Sequence, residues 1–277
     1  MIIFGYAAIV PAETLSRRSF RTSDGVNLSF LEARPAAGGD GQLQIAFVTG
    51  WCMPAALWRV QLESLGARYH ALALDPRGQG ESEAPAHGYT AERRAADIHE
   101  FIQPLSNALL VGWSLGALEA LQSVHMFGAG KIAGLVLVDS SVGEPPVPPS
   151  SVPFTNGLRK NRDKALEGFI RAVFPKRPEA EIESLIRGAK RMSLEDSIAL
   201  LSYPFEREHW KQIAHVFAKP LLYVVTPQFA AQARNLKANR PATRVEIFER
   251  AGHALFVDEA PRFNALIANF ADSIAKP

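Results

Sequence analysis

LLVGWSLGALEAL, residues 109–121, is the stretch that best indicates the fold. An apolar run ends at GWSLG, residues 112–116, and a pattern with helical spacing starts immediately afterwards. A sharp turn from strand to helix strains its central residue, and glycine on either side removes side chains that would collide. In that context Gly-x-Ser-x-Gly predicts an exposed nucleophilic hydroxyl on Ser114. The plainer alternative is a helix-start serine with incidental glycines.

The position of Ser114 also suggests how negative charge would be stabilised next to it. A helix that starts directly after Ser114 would present the backbone N–H of Leu115 and the positive end of its dipole. Both features favour an oxyanion formed beside the serine. Leu115 is therefore a candidate oxyanion-hole residue.

Short β-rich runs alternate with helix-period segments along most of the chain, which is typical of βα units around a parallel sheet. Most of the runs are solidly apolar, as strands covered on both faces should be. Asp24-Gly25 predicts a two-residue hairpin turn, so the sheet should begin antiparallel. We therefore predict an α/β fold with a mostly parallel, doubly wound sheet. The main strand runs are 43–48, 71–74, 108–111, 133–138, 220–225 and 244–248.

Between residues 142 and 219 the pattern changes. A proline-rich stretch, GEPPVPPSSVP, is followed by apolar stripes at helical spacing with no strand run between them. One helix is predicted to start at Ser193, with Asp196 three residues on. We predict two core segments, 1–141 and 220–277, and a helical lid inserted at 142–219.

Composition excludes several functional classes. The 277 residues are 47% hydrophobic and 21% charged, which suits a globular core, and the formal net charge of +2 is too small to indicate nucleic-acid binding. Cys52 is the only cysteine, which excludes an intramolecular disulfide and thiolate-rich metal sites. No cofactor is indicated.

The N-terminal residues and the lengths of the apolar runs indicate where in the cell the protein is expected. Residues 1–10 are apolar but are not preceded by a basic region, so we expect an arm that packs on the body or on a partner. This leaves a homodimer open. Elsewhere charge, Gly or Pro breaks every apolar run within about ten residues, too short for a membrane span. We expect a cytoplasmic protein.

These motifs resemble the α/β-hydrolase family over nearly the whole chain, and GWCMPAALW and GWSLG look most like small serine carboxylesterases with a helical lid. The resemblance implies that Thr49-Gly50-Trp51-Cys52 is the oxyanion loop, with the Trp51 N–H as partner to that of Leu115. It also implies that Asp75, Arg77 and Gly80 in the loop DPRGQGES, residues 75–82, are structural rather than catalytic. One departure is Thr49, where the family usually has a histidine that supports the loop.

A serine hydroxyl needs a general base within hydrogen-bond reach. His253 follows the last strand run and precedes the closing helix pattern, where the resemblance places the base in the order serine, acid, histidine. His253 is therefore the predicted base, and the other six histidines are expected to be ordinary polar residues.

The acid that orients the base is harder to place. Family members usually carry it after the strand here predicted at 220–225, but no Asp or Glu occurs between residues 209 and 245. A variation in the family places the acid after the preceding strand, where LVLVDSS ends in Asp139. Asp139 is our first candidate and Glu144 the second. A Ser114–His253 dyad is the remaining option.

Together these residues predict a cofactor-free serine hydrolase that cleaves a small-molecule carboxylic ester, lactone or thioester. Cleavage of a carbon–carbon bond and cofactor-free perhydrolase activity use the same constellation and stay open. A small-ligand receptor on this scaffold is the alternative from another class, motivated by the missing usual acid and by Thr49. Fold alone does not choose among them.

Overall fold

A computed structural model of the protein describes residues 15–36 and 43–275. The apolar arm predicted at residues 1–10 lies outside these residues. Within them, no helix combines the length and the apolar character needed to cross a membrane.

One eight-stranded sheet runs through the described chain in the order β1-β2-β4-β3-β5-β6-β7-β8. β1 and β2 pair antiparallel, as do β2 and β4, and all the other pairs are parallel. The predicted α/β class with a mostly parallel sheet is confirmed. The strands are β1 (Ser16–Arg21), β2 (Asn27–Ala33), β3 (Gln44–Val48), β4 (Ala71–Leu74), β5 (Ala108–Trp113), β6 (Ile132–Val138), β7 (Leu221–Val225) and β8 (Arg244–Ile247).

Helices cover both faces of this sheet, and five of them lie between β6 and β7. The helices are α1 (Arg59–Leu65), α2 (Ala91–Ile102), α3 (Leu115–Phe127), α4 (Val152–Lys160), α5 (Arg162–Val173), α6 (Glu179–Ala189), α7 (Leu194–Ala199), α8 (Arg207–Val216), α9 (Ala230–Asn239), α10 (Leu255–Asp258) and α11 (Ala260–Ala275).

The hairpin that opens the sheet differs from the prediction. The Thr22 N–H donates to the Val26 carbonyl at 2.9 Å, which leaves a three-residue loop, 23–25, rather than the two-residue turn expected at Asp24-Gly25. Gly25 has a φ of 86°, the left-handed conformation that closes such a loop. The Thr22 side chain also accepts from the Val26 N–H, so the polar side chain favours the wider loop.

The pleat of the central strands divides the core into two layers. In β3, Ile45 and Phe47 face one apolar cluster, while Ala46 and Val48 face the other. All four side chains are completely buried. This two-sided burial explains why the strand runs are apolar rather than alternating.

The helices between β6 and β7 contain the predicted apolar stripes. Ser193 caps α7 as predicted, because its hydroxyl accepts from the Asp196 N–H. Helices α4 and α8 were not predicted, although Trp210 and Ile213 in α8 have helical spacing and are buried. Leu158 and Leu166 from this segment pack in one cluster with Trp51 and Leu115.

Candidate active site

Ser114 lies in the tight turn between β5 and α3 with φ 56° and ψ −121°. This left-handed conformation is strained for a residue with a side chain. The chain doubles back so closely that a Cβ on Gly112 would lie 2.4 Å from the Gly116 carbonyl oxygen. A Cβ on Gly116 would lie 2.5 Å from the Thr49 carbonyl oxygen. Both glycines are needed because backbone occupies the space that a side chain would fill.

His253 lies in the loop between β8 and α10, and its Nε2 is 3.0 Å from the Ser114 Oγ. The Trp113 indole N–H donates to the His253 carbonyl at 2.8 Å, so the residue before the serine also holds the histidine loop. The imidazole is 26% exposed. A base in this position is within reach of the serine proton.

Asp139 follows β6, and its Oδ2 lies 2.8 Å from the Nδ1 of His253. Its other oxygen, Oδ1, accepts from the Thr226 N–H at 2.7 Å. The carboxyl group is completely buried, and a carboxylate here favours a proton on Nδ1, which leaves the Nε2 lone pair facing Ser114.

Glu144, the second candidate acid, contacts a different histidine. Its Oε1 lies 2.5 Å from the Nε2 of His215 in α8, and its side chain is buried there. No hydrogen bond to His253 is found for Glu144 within the described chain. Of the two candidate acids, the structure brings only Asp139 to the Ser114–His253 pair.

Strained backbone is concentrated at this site. Within residues 15–36 and 43–275, the only residues other than glycine with positive φ are Cys52, Ser114 and Asp139. Such residues cluster at functional sites because the surrounding structure has to hold them there.

The two candidate oxyanion donors flank Ser114. A Cβ on Gly50 would lie 3.0 Å from the Ser114 Cβ, so the loop that carries Trp51 packs directly against the serine. Leu115 is the first residue of α3, where a backbone N–H has no partner inside the helix. Among the described residues, neither the Trp51 nor the Leu115 N–H has a hydrogen-bond acceptor. Both N–H groups are therefore free to bind an oxyanion.

Cys52 lies in the same loop but is not an exposed thiol. Its side chain is buried, and burial raises the pKa of the thiol far above its usual value. It packs in an apolar cluster with Trp51 and Leu115. The structure favours a small buried side chain over a reactive nucleophile.

A cavity of about 340 Å³ opens over Ser114. Among the described residues that line it, six have aromatic side chains and four are leucines, and none is a lysine or an arginine. Helices α4 and α5 and the segment after α7 supply much of the wall. The aromatic residues are Trp51, Phe154, Phe169, Tyr203, Trp210 and Phe229, and the leucines are Leu115, Leu118, Leu200 and Leu201.

The basic residues at 159–164 do not line this cavity. Arg159 pairs with Glu195 at 3.4 Å on the surface. Arg162 donates to the Ala189 and Met192 carbonyls, and so holds the end of α6. The described residues contain no group of three or more His, Cys, Asp or Glu side chains arranged to hold a metal ion.

Comparison with known proteins agrees with this architecture. The sequence model of the α/β hydrolase family matches residues 45–266. An esterase from Exiguobacterium antarcticum superposes with a TM-score of 0.77 at 22% identity, covering 92% of this chain and 98% of that chain. The chain therefore belongs to the α/β hydrolase family.

Two curated relatives narrow the comparison. The pimeloyl-[acyl-carrier protein] methyl ester esterase of Vibrio cholerae is 25% identical over 268 residues, covering 84% of this chain and 95% of the relative. The non-heme chloroperoxidase of Streptomyces lividans is 33% identical over 140 residues, covering 50% of this chain and 48% of the relative. Among its relatives, then, are enzymes named for ester hydrolysis, which supports ester hydrolase activity.

The packing of the serine turn leads to a first prediction. Gly116→Ala should lower the free energy of unfolding by about 1–3 kcal/mol and remove most hydrolytic activity, because its Cβ would push the β3 end away from Ser114. Chemical denaturation and ester turnover measure the two effects. Gly188→Ala in α6 is the matched control, since a Cβ there meets nothing within 4 Å. Equal stability and activity in both variants would contradict the packing argument.

Proposed function

We propose that this protein is a serine hydrolase that cleaves a carboxylic ester, lactone or thioester through an acyl-enzyme. The observation that carries the proposal is the continuous contact from Asp139 through His253 to Ser114, with distances of 2.8 and 3.0 Å. Free N–H groups of Trp51 and Leu115 beside the serine support it.

In the proposed reaction, the Ser114 Oγ attacks the carbonyl carbon while His253 accepts the hydroxyl proton at Nε2. The buried Asp139 carboxylate stabilises the imidazolium that forms. The Trp51 and Leu115 N–H groups donate to the oxyanion of the tetrahedral intermediate. His253 then gives its proton to the leaving alcohol or thiol. Water activated by the same histidine releases the acid and restores the serine.

The segment 142–219 acts in this proposal as a lid. Phe154 from α4 and Phe169 from α5 line the same cavity as Ser114. The lid side chains Leu158 and Leu166 pack with Trp51, so the lid and the oxyanion loop share one apolar cluster. The lid therefore sets the shape of the substrate pocket.

The side chains that line the cavity determine the polarity and charge of the substrate that it can bind. An apolar or aromatic group fits a wall of aromatic and leucine side chains, whereas a carboxylate would lose water without gaining a cationic partner. The buried Asp139 adds negative charge to the same cavity. We therefore infer a neutral substrate, and the cavity volume suits a small acyl group.

The same geometry bears on the three alternatives, which are a ligand receptor, carbon–carbon bond cleavage and perhydrolysis. A ligand receptor was suggested by the absent acid after β7, but the Asp139 carboxylate occupies that place beside His253. Carbon–carbon bond cleavage and perhydrolysis start from the same serine, and substrate profiling separates them from ester hydrolysis. The partial similarity to a chloroperoxidase makes perhydrolysis the first of these to assay.

The proposal predicts that the wild type hydrolyses p-nitrophenyl acetate, butyrate and octanoate, and that Ser114→Ala loses this turnover, since Ser114 is the hydroxyl that contacts the His253 base. The dependence on chain length measures the size of the pocket. A fluorophosphonate probe should label the wild type and not the variant. Turnover that is equal in both proteins, or no labelling of Ser114, would overturn the proposal.

A second prediction distinguishes the two acids. Asp139→Asn should lower kcat by about a hundredfold or more, because the amide no longer stabilises the imidazolium. Glu144→Gln should change kcat by less than about threefold, since Glu144 contacts His215 and not the triad. Stopped-flow or plate assays on one ester measure both variants. Near-normal kcat in Asp139→Asn would leave a dyad, and loss only in Glu144→Gln would reassign the acid.

The cavity lining predicts a preference for neutral substrates. Methyl hexanoate should be hydrolysed with a kcat/KM at least about tenfold above that of monomethyl adipate, which has the same chain length but ends in a carboxylate. Product acids are measured by chromatography. Leu201→Lys should narrow the difference, and Leu201→Gln is its uncharged control. Equal kcat/KM for the two esters would contradict a cavity that selects against anions.

A further inference from the structure

Gln79 lies in the loop after β4 and has no role in the reaction steps given above. It is 1% exposed. Its amide nitrogen donates to the Gly50 carbonyl at 3.0 Å and to the Met53 carbonyl at 2.9 Å. Its amide oxygen accepts from the Cys52 N–H at 3.1 Å. One buried side chain therefore binds the backbone on both sides of Trp51.

The bond to Gly50 bears directly on the oxyanion site. The Gly50 carbonyl and the Trp51 N–H belong to the same planar peptide unit and point in opposite directions. Holding the carbonyl in place on one side therefore fixes the direction in which the N–H points on the other. The bond from Cys52 restrains the next peptide unit, so Trp51 is held from both ends.

A buried ion pair orients the Gln79 amide. The Arg94 guanidinium donates to the Gln79 oxygen at 3.4 and 3.5 Å, and it pairs with both oxygens of Glu119 at 2.9 and 3.0 Å. With the amide oxygen facing Arg94, the amide nitrogen faces the loop carbonyls. The Tyr203 hydroxyl donates to Glu119 at 2.7 Å, so this network reaches the pocket wall.

We propose that Gln79 is a positioning residue for the Trp51 N–H, and this inference rests on the proposed function of that N–H as an oxyanion donor. Thr49, where the family usually has a histidine, donates to the Met53 carbonyl at 2.8 Å and accepts from the Gln79 amide at 3.3 Å. Gln79 adds two bonds from its amide nitrogen and one to its amide oxygen, beside the weaker bond from the Met53 N–H to the Gly50 carbonyl at 3.3 Å and the bond from the Trp51 indole to the Ser197 carbonyl at 2.6 Å. Its effect reaches the reaction through the direction of one peptide unit, without contact with the substrate.

Gln79→Glu is the decisive variant, because it keeps the shape but replaces the donor nitrogen by an oxygen that repels the Gly50 and Met53 carbonyls. We expect kcat to fall by about 10- to 100-fold, with KM for the same ester changed less than about threefold. Inhibition by a trifluoromethyl ketone, whose adduct with Ser114 carries an oxyanion, should weaken by the same factor as kcat/KM. Binding of the corresponding methyl ketone should not change.

Gln61→Glu is the matched control. Gln61 is also 1% exposed, and it donates to the Phe256 carbonyl at 2.9 Å and to the Asn264 side chain at 3.0 Å, neither of which belongs to the loop that carries Trp51. Thermal unfolding of both variants shows how much stability is lost when a buried amide is replaced by a carboxylate. If Gln79→Glu does not fold, Gln79→Met removes the same donor without adding charge.

Three results decide the proposal. A fall in kcat and in trifluoromethyl ketone affinity in the Gln79 variant, with neither in Gln61→Glu, supports it. Changes no larger than those of Gln61→Glu overturn it and leave the proposed hydrolase intact. Wild-type protein without Ser114-dependent turnover would overturn the hydrolase and, with it, the role of Gln79.

Discussion

The contact between the Ser114 turn and the end of β3 is the constraint on which the site depends. Gly116 approaches the Thr49 carbonyl so closely that no side chain fits between them, and Gly50 packs against the Ser114 Cβ. This contact joins the Ser114 turn and the loop that carries Trp51 into one packed unit. The distance from the serine oxygen to the two N–H groups is therefore set by backbone packing, which does not relax as a flexible side chain would.

Parallel pairing brings the remaining groups to the same edge of the sheet. Trp113 pairs with Val138, and Val138 pairs with Val224, so the residues after β5, β6 and β7 emerge side by side. For this reason an acid after β6 reaches the same histidine as an acid after β7 would. Thr226, which follows β7, binds the Asp139 carboxylate through its backbone N–H. The backbone after β7, where the family usually carries the acid, therefore binds the carboxylate that we propose as the acid.

Sequence reasoning predicted most of the sheet because strands buried on both faces leave long apolar runs. It was wrong about the turn at Asp24-Gly25, where a local bond from the Thr22 side chain widens the loop. A motif and chain order were enough to predict that Ser114 and His253 would lie together, and their side chains are 3.0 Å apart. The sequence ranked Asp139 above Glu144 only by resemblance, because the contact itself depends on which of two buried carboxylates faces His253.

Gln79 had no signal in the sequence that pointed to a role, and the physical reason is general. Its partners are the carbonyl and N–H groups of Gly50, Cys52 and Met53, and every residue type has a carbonyl group. Because Gln79 binds backbone atoms, no particular residue type elsewhere in the sequence signals the contact. Burying the ion pair of Arg94 and Glu119 costs free energy of desolvation. In this position Arg94 also orients the Gln79 amide. The orientation of one amide then controls the orientation of the peptide unit beside Ser114.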